Sequence, residues 1–283
     1  MELLSGEVTL NYLDIYLPNI LAALAAAVAL AILGSMLAAR SESLQAFVAS
    51  QSAALGITIG LLVLIFTVGM EHGMIMLPTI FAFIFSVSVY LVTQKLCERH
   101  RVVATEILVA AFLLIIAINY LFTAAIPSLE QHFSIAFMGD IATASGASSY
   151  WLFAVSLLSV FFFILNYRRL VFQSFWIASS GIVMFPVLKL CFYLVASLLI
   201  VESTRLFGFL FTSASLLCLP LGASIGTKSL KGFSLSLPLL AIVSTSLGFG
   251  LSLKFQNLST SATIVVMQVL VSALFVFKNN LRS

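Results

Sequence analysis

Stretches of more than 20 residues without one charged side chain recur along this 283-residue chain, and no other feature constrains its fold as tightly. They cover 15–39, 43–70, 73–94, 107–129, 141–167, 206–227, 232–253 and 255–277. A further stretch, 170–201, is interrupted only by Lys189, so one more span starts near 183 after a short piece that does not cross. A helix needs roughly 20 apolar residues to cross a bilayer, so each window is a candidate span. The windows are continuously apolar rather than alternating, which favours helices over a closed barrel. The expected fold is therefore all-α and polytopic, with about nine transmembrane helices in a single domain over 1–283.

Composition closes the other routes. With 62% hydrophobic and 8% charged residues, a water-soluble domain or a disordered chain is excluded. Three cysteines cannot build a disulfide scaffold, and a net charge of +3 is too small to argue for nucleic acid. Window 141–167 is longer than one helix, because Ser145-Gly146-Ala147-Ser148-Ser149 is a turn-forming cluster. The span is expected to begin near Tyr150, leaving Phe133 to Ala144 as a short helix at the outer surface.

Charge distribution then sets orientation, since Lys and Arg in short loops stay on the cytoplasmic side. With the N-terminus outside and the C-terminus cytoplasmic, eleven of the thirteen basic residues fall inside, leaving Arg205 and Lys254 outside. Acids lean the other way, with Glu2, Glu7, Asp14, Glu71, Glu130, Asp140 and Glu202 outside. Residues 1–16 carry three acids and no base ahead of the first apolar run, which argues against a cleaved signal peptide. Cys97 falls in an inner loop while Cys191 and Cys218 fall in spans, so free thiols are expected.

Little here could do covalent chemistry. His72, His100 and His132 are scattered, with no triad or zinc-type spacing, and Gly222 to Ser229 lacks the Gly-Lys-Ser/Thr adjacency of a phosphate loop. The chain reads as no enzyme and holds no cofactor of its own. Four amides, Asn19, Gln51, Asn119 and Gln268, lie within spans, where such groups either bond neighbouring helices or line a route. Lys189 lies near an inner helix end, where its stem can snorkel. Glu71-His72 is the only adjacent acid and imidazole pair. The pairs Gly56/Gly60 and Gly222/Gly226 and the Ala-rich face of 22–31 are expected helix contacts.

Three regions carry a family resemblance. Leu33-Gly34-Ser35 through Arg40 to Gly56 and Gly60 forms a first span, basic turn and Gly-punctuated second span. Phe137-Met138-Gly139-Asp140-Ile141-Ala142-Thr143-Ala144-Ser145 is followed by Tyr167-Arg168-Arg169-Leu170. Leu206-Phe207-Gly208-Phe209-Leu210 and Ser215-Leu216-Leu217-Cys218-Leu219-Pro220 follow Arg205, and Ser261 to Val266 fits near the C-terminus. In order and spacing these resemble the membrane permeases of the zinc-, manganese- and iron-type ABC importers of bacteria.

The resemblance implies a multi-pass permease of the bacterial inner membrane that pairs with a second copy, with a cytoplasmic ABC ATPase and with an extracytoplasmic substrate-binding protein. ATP would be used by the ATPase, not by this chain. A coupling loop of about 168–182, containing a short coupling helix that maps onto Leu170 to Gly181, would dock on the ATPase through Arg168, Arg169, Leu170, Phe172, Phe175, Ala178 and Gly181. The family's second-span Asp and His fall on Phe47 and Gln51, so an acid and an imidazole are replaced by a ring and a neutral amide. Pathway candidates are Phe47, Ser50, Gln51 and Asn119; Glu71, His72, His132 and Asp140 are outer-side candidates for first contact with a metal. A non-metal cargo, a secondary carrier and a non-transporting assembly partner remain as alternatives.

Overall fold

A computed structural model describes residues 6–67, 76–126, 139, 141, 146–180, 183–255 and 258–280, with side chains from Tyr16 to Asn279 apart from 67, 76, 101, 178 and 180. Among these residues every regular element is a helix: α1 (Gly6–Ala39), α2 (Ser43–Thr67), α3 (Met76–Arg99), a short 3₁₀ turn (Arg101–Val103) and α4 (Ala104–Ala125). After these come α5 (Gly146–Leu165), α6 (Tyr167–Ser180), α7 (Pro186–Gly226), α8 (Leu230–Lys254) and α9 (Thr260–Asn280). All except α6 and the 3₁₀ turn are long and apolar enough to cross a membrane, which makes eight such helices. The expected segment Phe133 to Ala144 falls outside the described residues apart from Gly139 and Ile141.

The eight become nine because α7 is two spans in one. Its 41 residues would make a straight helix of about 60 Å, twice the roughly 30 Å of a hydrocarbon core. Gly208 breaks it, with φ 84° and ψ 164°, a conformation open to glycine because it lacks Cβ. The expected spans near 183–201 and 206–227 are thus both present, but the expected outer loop between them is absent. Glu202 and Arg205, assigned to that loop, instead lie in helix and pair at 2.8 Å, with 3% and 16% of their side chains exposed. A charge pair three residues apart on one helix neutralises itself, which allows it a place inside the protein.

A second boundary also moves. Within the cluster expected to form a turn before Tyr150, Gly146 to Ser149 are helical, since α5 begins at Gly146. Ser149 is fully buried and donates to Asn19 Oδ1 of α1, so a small polar residue that favours turns in isolation here joins two helices. Of the two roles open to the span amides, Asn19 bonds a neighbouring helix.

Small residues set the closest approaches. Ala22, Ala23, Ala26, Ala27, Ala29 and Ala31 of α1 are wholly buried in the main core cluster, where α1 packs on α5, α7 and α8. A Cβ added at Gly56 or Gly60 would come within 2.5 Å of Ala82 Cα or Pro78 Cα, so α2 and α3 touch backbone to backbone. Gly222 and Gly226 instead admit the side chains of Ser272 and Phe275 of α9. With no hydrophobic drive between helices in lipid, this van der Waals contact is what holds the bundle.

Candidate transport pathway and coupling helix

On α2, Phe47 and Gln51 are four residues apart and so share a face. Phe47 stacks on Phe112 of α4 with ring centroids 4.8 Å apart and meets Phe209 of α7, just past the Gly208 break, at 5.2 Å. Phe112 and Phe209 are 6.3 Å apart, so three rings from three helices close one cluster. The position onto which the resemblance maps an acid is thereby filled by an aromatic contact.

Gln51 and Asn119 are both fully buried, and none of their four amide atoms has a hydrogen-bond partner. Asn119 lies seven residues, two turns, beyond Phe112 on the same face of α4, the stripe that also carries buried Ile115. Gln51 lies between Val48 and Leu55, which pack in one cluster with Leu108 and Ile115 of α4. The two amides therefore belong to facing stripes of α2 and α4. Leaving an amide buried and unbonded costs about 1–3 kcal/mol, so two such groups call for an explanation. Ser50 is buried and donates to the Phe47 carbonyl at 2.8 Å, which uses its proton within its own helix and leaves only the lone pairs of its oxygen to offer.

The amides are not the only polar side chains buried in the bundle, because Glu202 is buried there with Arg205 holding its Oε2 from both Nε and Nη2. The sequence signal was an acid and a base three apart in an otherwise apolar stretch, and its reading as a loop concealed it. Among the described residues no group of three or more His, Cys, Asp or Glu could hold a metal ion. Glu71, His72, His132 and Asp140 lie outside the described residues.

The expected coupling loop is largely helix. In α6, Leu170, Gln173 and Ser174 are buried, at the i, i+3, i+4 spacing of one face, while Arg168, Arg169, Phe172 and Phe175 are exposed. Leu170 is fully buried in the core cluster, so it anchors the helix and is not free to meet a partner. Gln173 donates to the Phe185 carbonyl at 3.1 Å, which ties α6 to the start of α7. Phe172 packs edge-on to Trp176 at 6.1 Å. The Ala178 side chain and Gly181 lie outside the described residues.

A second buried polar group joins α6 to the bundle, and the sequence reading missed it. The corner between α1 and α2 places Ser41 at φ 60°, and Glu42 lies just before α2. Glu42, 5% exposed, accepts hydrogen bonds from Tyr90 of α3 and Tyr193 of α7, both at 2.9 Å. Burial pushes its carboxyl above the ordinary carboxylate range, offset in part by Arg40, by the two tyrosine bonds and by Lys189. Arg40 stacks its guanidinium 3.9 Å from the centre of the Phe192 ring and donates from Nε to Ser174 Oγ at 2.8 Å. Lys189, in the first turn of α7, lies 3.8 Å from Glu98 and over the Tyr193 ring. No local pattern joins these residues; they converge from three helices and the α1–α2 corner.

Comparison with known proteins agrees with this architecture. No curated protein sequence matches the chain. Among solved structures, the fold is similar to one described as PsaBC from Streptococcus pneumoniae in complex with Fab, at 14% identity and a TM-score of 0.73, covering 94% of this chain and 95% of that one. The family model for the ABC 3 transport family matches residues 12–279. Because that match runs from the first span to the last, this chain belongs to the ABC 3 transport family, and its part is that of a membrane permease.

Proposed function

We propose that the chain is the membrane-spanning permease subunit of an ATP-driven importer of divalent metal ions (zinc, manganese or iron) in a bacterial inner membrane. It works with a second copy of itself, a cytoplasmic ABC ATPase and an extracytoplasmic binding protein. The observation that carries the reading is α6, which buries Leu170, Gln173 and Ser174 against the bundle while turning Arg168, Arg169, Phe172 and Phe175 outward. An exposed face pairing two cations with two large rings suits a protein partner, because aromatic and Arg side chains dominate such contacts. On this reading the end of the bundle bearing Arg40, Arg168 and Arg169 faces the cytoplasm, as the positive-inside count predicts.

Metal as cargo rests on the chain-long resemblance, and at Phe47 and Gln51 it requires neutral ligands. An ion crossing there would exchange hydration for amide carbonyls, which suits passage without tight capture. A second reading, a cargo other than a bare metal ion, is favoured by the ring cluster of Phe47, Phe112 and Phe209 beside two unbonded amides. Uptake of radiolabelled zinc, manganese and iron by cells expressing the assembled transporter separates the two. Import of one of them above an ATPase-dead control supports metal; import of none overturns it in favour of another cargo. Deleting 170–181 should leave an inserted chain that no longer co-purifies with its ATPase. Cys97, expected in an inner loop, is buried near the end of α3, so orientation is read at exposed positions: an impermeant thiol reagent on intact cells should label a cysteine placed at Lys254 and spare one placed at Val102, and the reverse would overturn the orientation.

A further inference from the structure

The Arg40–Glu42 corner carries a feature that its own chemistry does not resolve. Two opposite charges lie two residues apart and both are buried, yet they make no ion pair: among the described residues the ion pairs are Lys189 with Glu98 and Arg205 with Glu202. Arg40 spends its Nε on a neutral hydroxyl of α6, while Nη1 and Nη2 are buried with no hydrogen-bond partner. Glu42 is held by two neutral tyrosines. Buried charges ordinarily pair, because the low local dielectric makes an unpaired one costly. A stronger arrangement of the same residues is therefore within reach, with the Arg40 guanidinium on the Glu42 carboxylate.

The contacts define what holds that arrangement off. Ser174 fixes Arg40 to α6, Phe192 stacks under the guanidinium from α7, and Tyr90 and Tyr193 hold the carboxylate from α3 and α7. Ser41, between the two charges, is a non-glycine residue in the left-handed region, so the corner itself stores strain. We infer that this corner is a two-position joint: when α6 shifts, Arg40 leaves Ser174 for Glu42, the two tyrosine bonds open, and the start of α2 is released from α3 and α7. Arg40 and Glu42 are positioning residues, acting on Phe47 and Gln51 through the helix that begins at Ser43. The inference rests on the proposed docking of α6 on an ATPase.

Variants with opposite expected signs test it in the permease–ATPase complex reconstituted in liposomes. Glu42→Gln keeps carbonyl and amide groups for the tyrosines but cannot form the ion pair. It should melt no lower than wild type and retain the co-purifying ATPase, with unchanged KM for ATP, while kcat for hydrolysis falls about tenfold, the scale of one lost charge-assisted bond. Ser174→Ala removes the hold on the present position and should leave kcat at or above wild type. Wild-type kcat in Glu42→Gln, a loss in Ser174→Ala, or a collapsed melting transition in Glu42→Gln would each overturn the joint, the last by showing a fixed structural role. Failure of the wild-type chain to retain any ATPase is a different result, which removes the docking reading and the joint with it.

Discussion

Gln51 and Gln268 are both fully buried glutamines in membrane-spanning helices, and they are opposites in chemistry. Gln268 of α9 donates from Nε2 to Ser215 Oγ of α7 at 2.9 Å, and its Oε1 lies 3.4 Å from the same hydroxyl. Gln51 has no partner on either amide atom, and Asn119 repeats the pattern on the facing helix. A bonded amide in lipid joins two helices, whereas an unbonded one lowers stability unless something else uses it. The difference separates the α7–α9 contact, which is a fixed seam, from the α2–α4 contact, which is where a moving cargo could be met.

The largest expected effect comes from reversing the chemistry at that contact. The double variant Phe47→Asp with Gln51→His restores an acid and an imidazole one turn apart. Purified and dialysed against zinc, it should retain about one ion per chain where wild type retains none, because anionic and imidazole ligands bind what a ring and an amide do not. No retained zinc would mean that this face does not meet the cargo. Next in size, Gln51→Leu should reduce cargo uptake about tenfold and leave the melting temperature unchanged or higher, since it removes unbonded buried polar atoms. A clear loss of stability would show that Gln51 is a hidden joint like Gln268. Gln268→Leu should behave in reverse, costing about 1–3 kcal/mol of stability by stranding Ser215, with uptake per folded molecule preserved.

The smallest effect is a pH dependence at the α1–α2 corner. Burial holds the Glu42 carboxyl above its ordinary range while Arg40, Tyr193, Tyr90 and Lys189 pull it partly back. A raised acid contributes stability below its unfolded value and loses it as pH rises through the folded one. The melting temperature of Glu42→Gln should therefore gain on wild type as pH rises above the ordinary carboxylate range. A gap that stays constant from acid to neutral pH would show that Glu42 does not titrate there.

Most of the bundle was legible because lipid imposes one rule, that uninterrupted apolar length means a crossing. The windows beginning at 15, 43, 73, 107, 232 and 255 each became a helix, and Gly56, Gly60, Gly222 and Gly226 each became a close approach. The rule failed where charge was read as solvent exposure. Glu202 and Arg205 looked like a loop because nothing local indicates that they neutralise each other inside the protein. At the candidate pathway, the faces of Phe47 and Gln51 followed from helical spacing, but their aromatic partners Phe112 and Phe209 are separated by 97 residues in sequence and could not. Glu42 was hidden for the same reason, its tyrosines lying 48 and 151 residues away.

The break at Gly208 bears on how the chain is made. Two crossings joined at a single non-helical residue, with the hydrophilic stretch Glu202 to Arg205 folded into helix and its charges paired, leave the insertion machinery no exposed connector at which to pause, so 186–226 would enter the bilayer as one unit, folded as it is released. A substitution at Gly208 would then act during synthesis, before any cargo or partner is present, and its signature would be chains lost to proteolysis in the producing cell, with little effect on the few that complete insertion.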